Sequence, residues 1–132
     1  MADNIARTAS SAPLQSVLVS IKQLYEGRRI KAIFQPHLYT RTRDFYREFA
    51  DALSLLDDVA IVDIYPAREA PIPGVTSALI YDNLRPGIHK QMCSKDEILD
   101  VVKAGGYDVL VTLGAGDIDN YADRIADLLK ET

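Results

Sequence analysis

RIKAIFQPHLYTRTRDFYREFADALSLLDDVAIVDIY, residues 29–65, holds two apolar runs on either side of a helical pattern. The runs at 29–34 (RIKAIF) and 59–65 (VAIVDIY) have the length and β-branched content of strands buried on both faces. Between them, residues 42–56 carry Phe45, Phe49, Ala52 and Leu53 at helical spacing, which predicts an amphipathic helix with these side chains inward. Strands separated by a helix cannot close as a hairpin, so they lie parallel and are joined by a right-handed crossover. The fold class that follows is α/β: an open, mostly parallel sheet with helices on both faces.

The same alternation continues in both directions. Upstream, Ser11 and Pro13 mark a helix start, Leu14, Val17, Leu18, Ile21, Leu24 and Tyr25 recur at spacings of three and four, and Gly27 ends the pattern. Downstream come a short helix at 77–83, a short strand at 88–92, a helix capped by Ser94 with Ile98, Val101 and Val102 inward, a third strong strand at 107–113 (YDVLVTL) and a final helix at 118–129. The predicted order is αβαβ(α)βαβα. Residues 1–10 are small and polar without periodicity, so 1–12 read as a loose N-terminal segment or an extraneous remnant, and 13–132 as one domain.

The chain has 132 residues, is 48% hydrophobic and 26% charged, and carries a net charge of -4. That composition suits a globular protein with one core. The net charge offers no general attraction to nucleic acid or to a membrane surface, so any anion must be bound by a local cluster of cations. Residues 28–47 hold such a cluster. Cys93 is the only cysteine, which excludes an intramolecular disulfide, and no Cys and His spacing suggests a metal site. No apolar run reaches membrane-spanning length and no signal-peptide pattern opens the chain, so the expected compartment is the cytoplasm.

Parallel α/β sheets bind ligands outside the carboxyl ends of their strands. Three loops leave strong strands there: QPHLYTRTR (35–43), PAREAPIPG (66–74) and GAGDID (114–119). In the first, Thr40 or Thr42 is a candidate helix cap, and Arg41 and Arg43 stand where the helix macrodipole disfavours cations. An anionic ligand explains them, gripped by the guanidinium fork and by free backbone N–H groups, with His37 beside it. Arg43 has an alternative in an ion pair with Asp44 or Glu48. The turn Gly114, Ala115, Gly116 and Asp117 allows close backbone approach, yet it lacks the full GxGxxG pattern, so a weak nucleotide contact and a plain turn with Asp117 as N-cap both stand. In the proline-stiffened loop, Arg68 and Glu69 could bond across the cleft, although a solvated surface loop is the favoured reading, and His89 reads as structural. No serine or cysteine is paired with a base as a nucleophile would be.

Three stretches in order, FQPHLYTRTRDF (34–45), DIYPAREAPIPGVTS (63–77) and LVTLGAGDID (110–119), resemble the C-terminal domain of the Mur ligases, from about Pro13 to the end. FQPH and YPAxExPIPG resemble in particular the members that join L-alanine to UDP-N-acetylmuramate in peptidoglycan precursor synthesis. The resemblance implies a Rossmann-like domain of an ATP- and Mg2+-dependent ligase that phosphorylates a carboxylate and passes the acyl group to an amine. It implies N-terminal and central domains as partners, the former for the UDP-sugar, the latter for the phosphate-binding loop and magnesium, and no cofactor held by this domain alone. By the same resemblance His37 is catalytic and substrate-binding, Arg41 fixes the amino acid carboxylate, and Tyr39 and Thr40 line the substrate site. The chain departs from the family twice. Leu38 stands where many relatives have a basic residue, and Thr8 to Pro13 read T-A-S-S-A-P where D-Y-x-H-H-P is expected. An anion-binding or regulatory α/β module without catalysis is the alternative reading.

Overall fold

The computed structural model describes residues 4–8, 14–114 and 116–130. Five strands form one sheet in the order β1 (Asn4–Thr8), β5 (Val109–Gly114), β2 (Ile30–Gln35), β3 (Asp58–Val62) and β4 (His89–Cys93), and every neighbouring pair is parallel. The α/β class expected from the alternation is the class observed. Parallel strands must be covered on both faces, which is why β2 and β3 are buried along their whole length. Successive strand residues point to opposite faces, and the core divides accordingly. On one face Ala32, Phe34, Val59, Ile61 and Val111 meet Leu18 and Ile21 of α1 (Leu14–Leu24), Ala50 and Leu53 of α2 (Tyr39–Leu53) and Ile80 of α3 (Ala78–Tyr81). On the other, Ile33, Ala60, Val62 and Leu110 meet Ile98 and Val102 of α4 (Ile98–Ala104) and Ile118 and Ile125 of α5 (Asp117–Lys130).

Two local expectations are corrected and a third goes untested. Asn4–Thr8 pairs in register with Val109–Leu113 as an edge strand, where a loose start was expected. A strand held by its backbone ladder needs no apolar run, so NIART shows no periodicity. The helix start assigned to Ser11 and Pro13 lies outside the described residues. In α2 the buried side is Thr42, Ala50, Ala52 and Leu53, and Phe45 is 47% exposed rather than inward. It lies beside Phe49, ring centroids 6.3 Å apart, at the edge of the core.

At the amino ends of the strands Lys31 and Asp58, both buried, lie 3.6 Å apart across the β2–β3 pair, and His89 Nδ1 sits 2.9 Å from the same carboxylate. Their mutual pairing offsets the burial of charge. His89 is therefore part of the scaffold, as its weak strand context implied.

Candidate functional site

From β2 the chain steps outward through β3 and β4 and then returns to place β5 on the other side of β2. The strand order reverses between β2 and β5, and a crevice opens outside their carboxyl ends, where such sheets receive ligands. One buried side chain organises this crevice. Gln35, at the end of β2, donates through Nε2 to the Asp63 carbonyl at 3.1 Å and to the Asp117 carboxylate at 3.0 Å, and accepts at Oε1 from the Ile118 amide at 2.9 Å. A single amide thus ties together the loops that leave β2, β3 and β5.

The glycines of the third loop serve the same close packing. Gly114 has φ +112, and a Cβ there would stand 2.3 Å from the Gln35 carbonyl oxygen. Gly116 has φ +98, and a Cβ there would enter the Tyr65 ring. Ala115 lies outside the described residues. The Ile118 amide is taken by Gln35 and the Asp119 amide donates to the Gly116 carbonyl at 3.1 Å. Two carboxylates, Asp117 and Asp119, occupy the first turn of α5. The Ile118 and Asp119 amides are thus taken and the local charge is negative, which disfavours an anion at these two donors. Among the described residues no group of three or more His, Cys, Asp or Glu side chains could hold a metal ion.

The first and second loops are laced together. The Tyr65 amide donates to the Pro36 carbonyl at 2.8 Å and the Leu38 amide to the Tyr65 carbonyl at 2.9 Å, which seats His37 opposite Tyr65. Their rings stack at 5.8 Å with an interplanar angle of 17°. Neither nitrogen of the half-buried His37 ring has a hydrogen-bond partner among the described residues. Leu38, with φ 73 and ψ 141, sits in a region that favours glycine. It is pinned by its own amide and by Thr42, whose amide and hydroxyl donate to the Leu38 carbonyl at 3.2 and 2.8 Å.

Neither Thr40 nor Thr42 is the residue that caps α2. The cap comes from Glu69, thirty residues on: its carboxylate accepts from the amides of Tyr39 and Thr40, at 2.5 and 3.1 Å, and from the Thr40 hydroxyl at 2.5 Å. The helix therefore starts at Tyr39, earlier than the local pattern suggests. The Thr40 hydroxyl, then its backbone amide and that of Tyr39, and the charge of Arg43 hold the Glu69 carboxyl below the usual carboxylate range. Glu69 is thus a structural carboxylate at the rim, not the solvated side chain that its loop composition suggested. Arg68 is exposed, as expected.

The two arginines divide. Arg43 pairs with Asp44, Nε to Oδ1 at 2.9 Å, the bland alternative of the sequence reading. Arg41 is exposed, lies over the Phe45 ring at 5.9 Å, and has no carboxylate partner among the described residues. Cys93 offers no nucleophile, because burial pushes its thiol up to about 11. Among the described residues the rim thus presents an uncommitted guanidinium and an unpaired imidazole beside a helix start already capped by Glu69.

No family model matches the chain. It is 66% identical over 117 residues to the UDP-N-acetylmuramate–L-alanine ligase of Phocaeicola vulgatus and 52% identical over 119 residues to that of Parabacteroides distasonis, each alignment covering 89% of this chain. These alignments fall in the C-terminal region of the relatives. The chain spans 25% of the length of either. Among solved structures, the UDP-N-acetylmuramate-alanine ligase of Thermotoga maritima superposes with a TM-score of 0.72 at 24% identity, covering 99% of this chain and 29% of that one. At that identity the likeness speaks for the fold.

Proposed function

We propose that this chain, homologous to the C-terminal region of UDP-N-acetylmuramate–L-alanine ligases, serves as their C-terminal domain: it presents L-alanine to an activated UDP-N-acetylmuramate and closes over ATP. The observation that carries this reading is the pair at the rim, Arg41 without an ion pair and His37 with both ring nitrogens unbonded among the described residues, set at the carboxyl end of β2. A guanidinium offers two parallel N–H donors to a carboxylate, which fixes the orientation as well as the charge of a small amino acid. His37, held flat against Tyr65, contributes a hydrogen bond while the amine and the acyl carbon are aligned. This is catalysis by placement and electrostatics, which can supply most of the rate in such transfers.

Tyr39 and Thr40 contribute through the first turn of α2, whose amides and hydroxyl they lend to Glu69. ATP and Mg2+ belong, in this reading, to the other domains of the full ligase. ATP supplies the phosphoryl group that activates the sugar-borne carboxylate, and the Gly114 to Asp117 turn contributes a weak contact to the nucleotide. The compartment is the cytoplasm and the pathway is peptidoglycan precursor synthesis.

A chimera tests it: the Phocaeicola vulgatus ligase with residues 14–132 of this chain in place of its own C-terminal region. We expect ATP-, alanine- and UDP-N-acetylmuramate-dependent phosphate release. Arg41→Ala should then lower kcat/KM for alanine by about 10- to 150-fold, the effect of losing a charge-assisted hydrogen bond. Arg41→Lys should be nearly as damaging, because an ammonium keeps the charge but not the fork. Alanine constants within about twofold of the parent would make Arg41 a helix-surface residue.

A further inference from the structure

The rim contains one carboxylate of its own, and its position bears on how a second is received. We infer that Glu69 is a positioning residue: by occupying the α2 amides it fixes the first turn of the helix, aims His37 and Arg41, and reserves the guanidinium as the receptor for the ligand's carboxylate. The inference rests on the proposed amino acid site and deepens it.

Three observations carry it. First, the two amides and one hydroxyl at the start of α2 that an anion would seek all donate to Glu69. Second, Glu69 is braced: its own amide donates to the Pro66 carbonyl at 2.9 Å, and Gln35 and Ser77 tie the loop to the strand ends, with Ser77 Oγ donating to the Val62 carbonyl at 2.6 Å. The carboxylate is thus held by loop and sheet together. Third, the residue between His37 and Tyr39 is in a left-handed conformation that persists only where the surroundings impose it. On one side the imposing contact is the Tyr65 bridge; on the other it is the helix turn that Glu69 caps. Release of the cap would let this turn unwind, swing Arg41, and leave two amides free as a competing anion site.

Two arms test it separately. In the 132-residue chain, acetate titration followed by amide NMR should leave Tyr39 and Thr40 unmoved in the parent and shift both in Glu69→Ala. Parent amides that respond to acetate as readily as the variant's would overturn the inference. Should Glu69→Ala fail to fold, Glu69→Gln keeps an acceptor oxygen: acidification should then move the Tyr39 amide in the parent and not in the variant, and equal movement would overturn it. In the chimeric ligase, Glu69→Ala should raise KM for alanine by about tenfold, with KM for ATP within about twofold and Glu69→Gln intermediate. Equal loss toward both substrates, or none, sinks the positioning role. A parent chimera inactive with alanine overturns the ligase reading and the aiming of Arg41 with it, while the acetate arm still decides who occupies the α2 amides.

Discussion

Glu69 converts a local hydrogen-bonding arrangement into a pH dependence whose sign is fixed. Its carboxyl is held below the usual range, first by the Thr40 hydroxyl and then by the Thr40 and Tyr39 amides. A group with a depressed folded-state pKa contributes stability that is fully present above its unfolded value, about 4.3 for glutamate. That stability is lost as pH falls through the lower folded value. Urea midpoints of the parent and Glu69→Gln should therefore differ at pH 7 and converge below about pH 4. A gap that widens on acidification would mean that the neutral acid is the better cap.

At the scale of elements, the alternation of strand and helix was legible because buried parallel strands demand apolar runs and amphipathic helices demand a 3.6-residue period. Boundaries were less so, and each error has a physical source. The start of α2 is set by a carboxylate thirty residues away, which no window of sequence contains. Phe45 was placed inward by spacing alone, although the helix rotates it to the rim of the core, where Phe49 covers it in part. β1 was invisible because it is an edge held by its ladder. The convergence of the strand-end loops on one rim was legible, whereas the Gln35 tie and the Tyr65 stack were not, since both are tertiary contacts. Gln35 makes a sharp test. Gln35→Leu fills similar space but orphans the Ile118 amide and the Asp63 carbonyl, at about 1–3 kcal/mol for each buried group left unpaired. Gln35→Glu retains an acceptor for Ile118 yet points a carboxylate at Asp117, so it should be the more destabilising at pH 7 and recover toward pH 4. Urea unfolding at the two pH values reads the difference, and a Glu variant as stable as the parent at pH 7 would mean that the three loops are not joined through this amide.

Across the whole molecule, the charge and the committed donors bear on what the chain binds unaided. Its net charge is -4, and the helix starts facing the crevice are answered from within, α2 by Glu69 and α5 by Gln35 with Asp117 and Asp119 alongside. Helix starts attract phosphate when their amides are free and their first turn is not acidic. At α2 the Tyr39 and Thr40 amides are taken by Glu69, and at α5 the Ile118 amide is taken and the first turn is acidic, so we expect only one-sided nucleotide contact at the Gly114 to Asp117 turn. We expect the 132-residue chain alone to bind ATP no more tightly than about 1 mM, equivalent to about 4 kcal/mol, and to release no phosphate in the presence of alanine and UDP-N-acetylmuramate. Calorimetry decides the first expectation and a phosphate-release assay the second. A micromolar dissociation constant would show that the chain carries a nucleotide site of its own, and amide shifts on adding ATP would show whether the Tyr39, Thr40 or Ile118 amide is part of it.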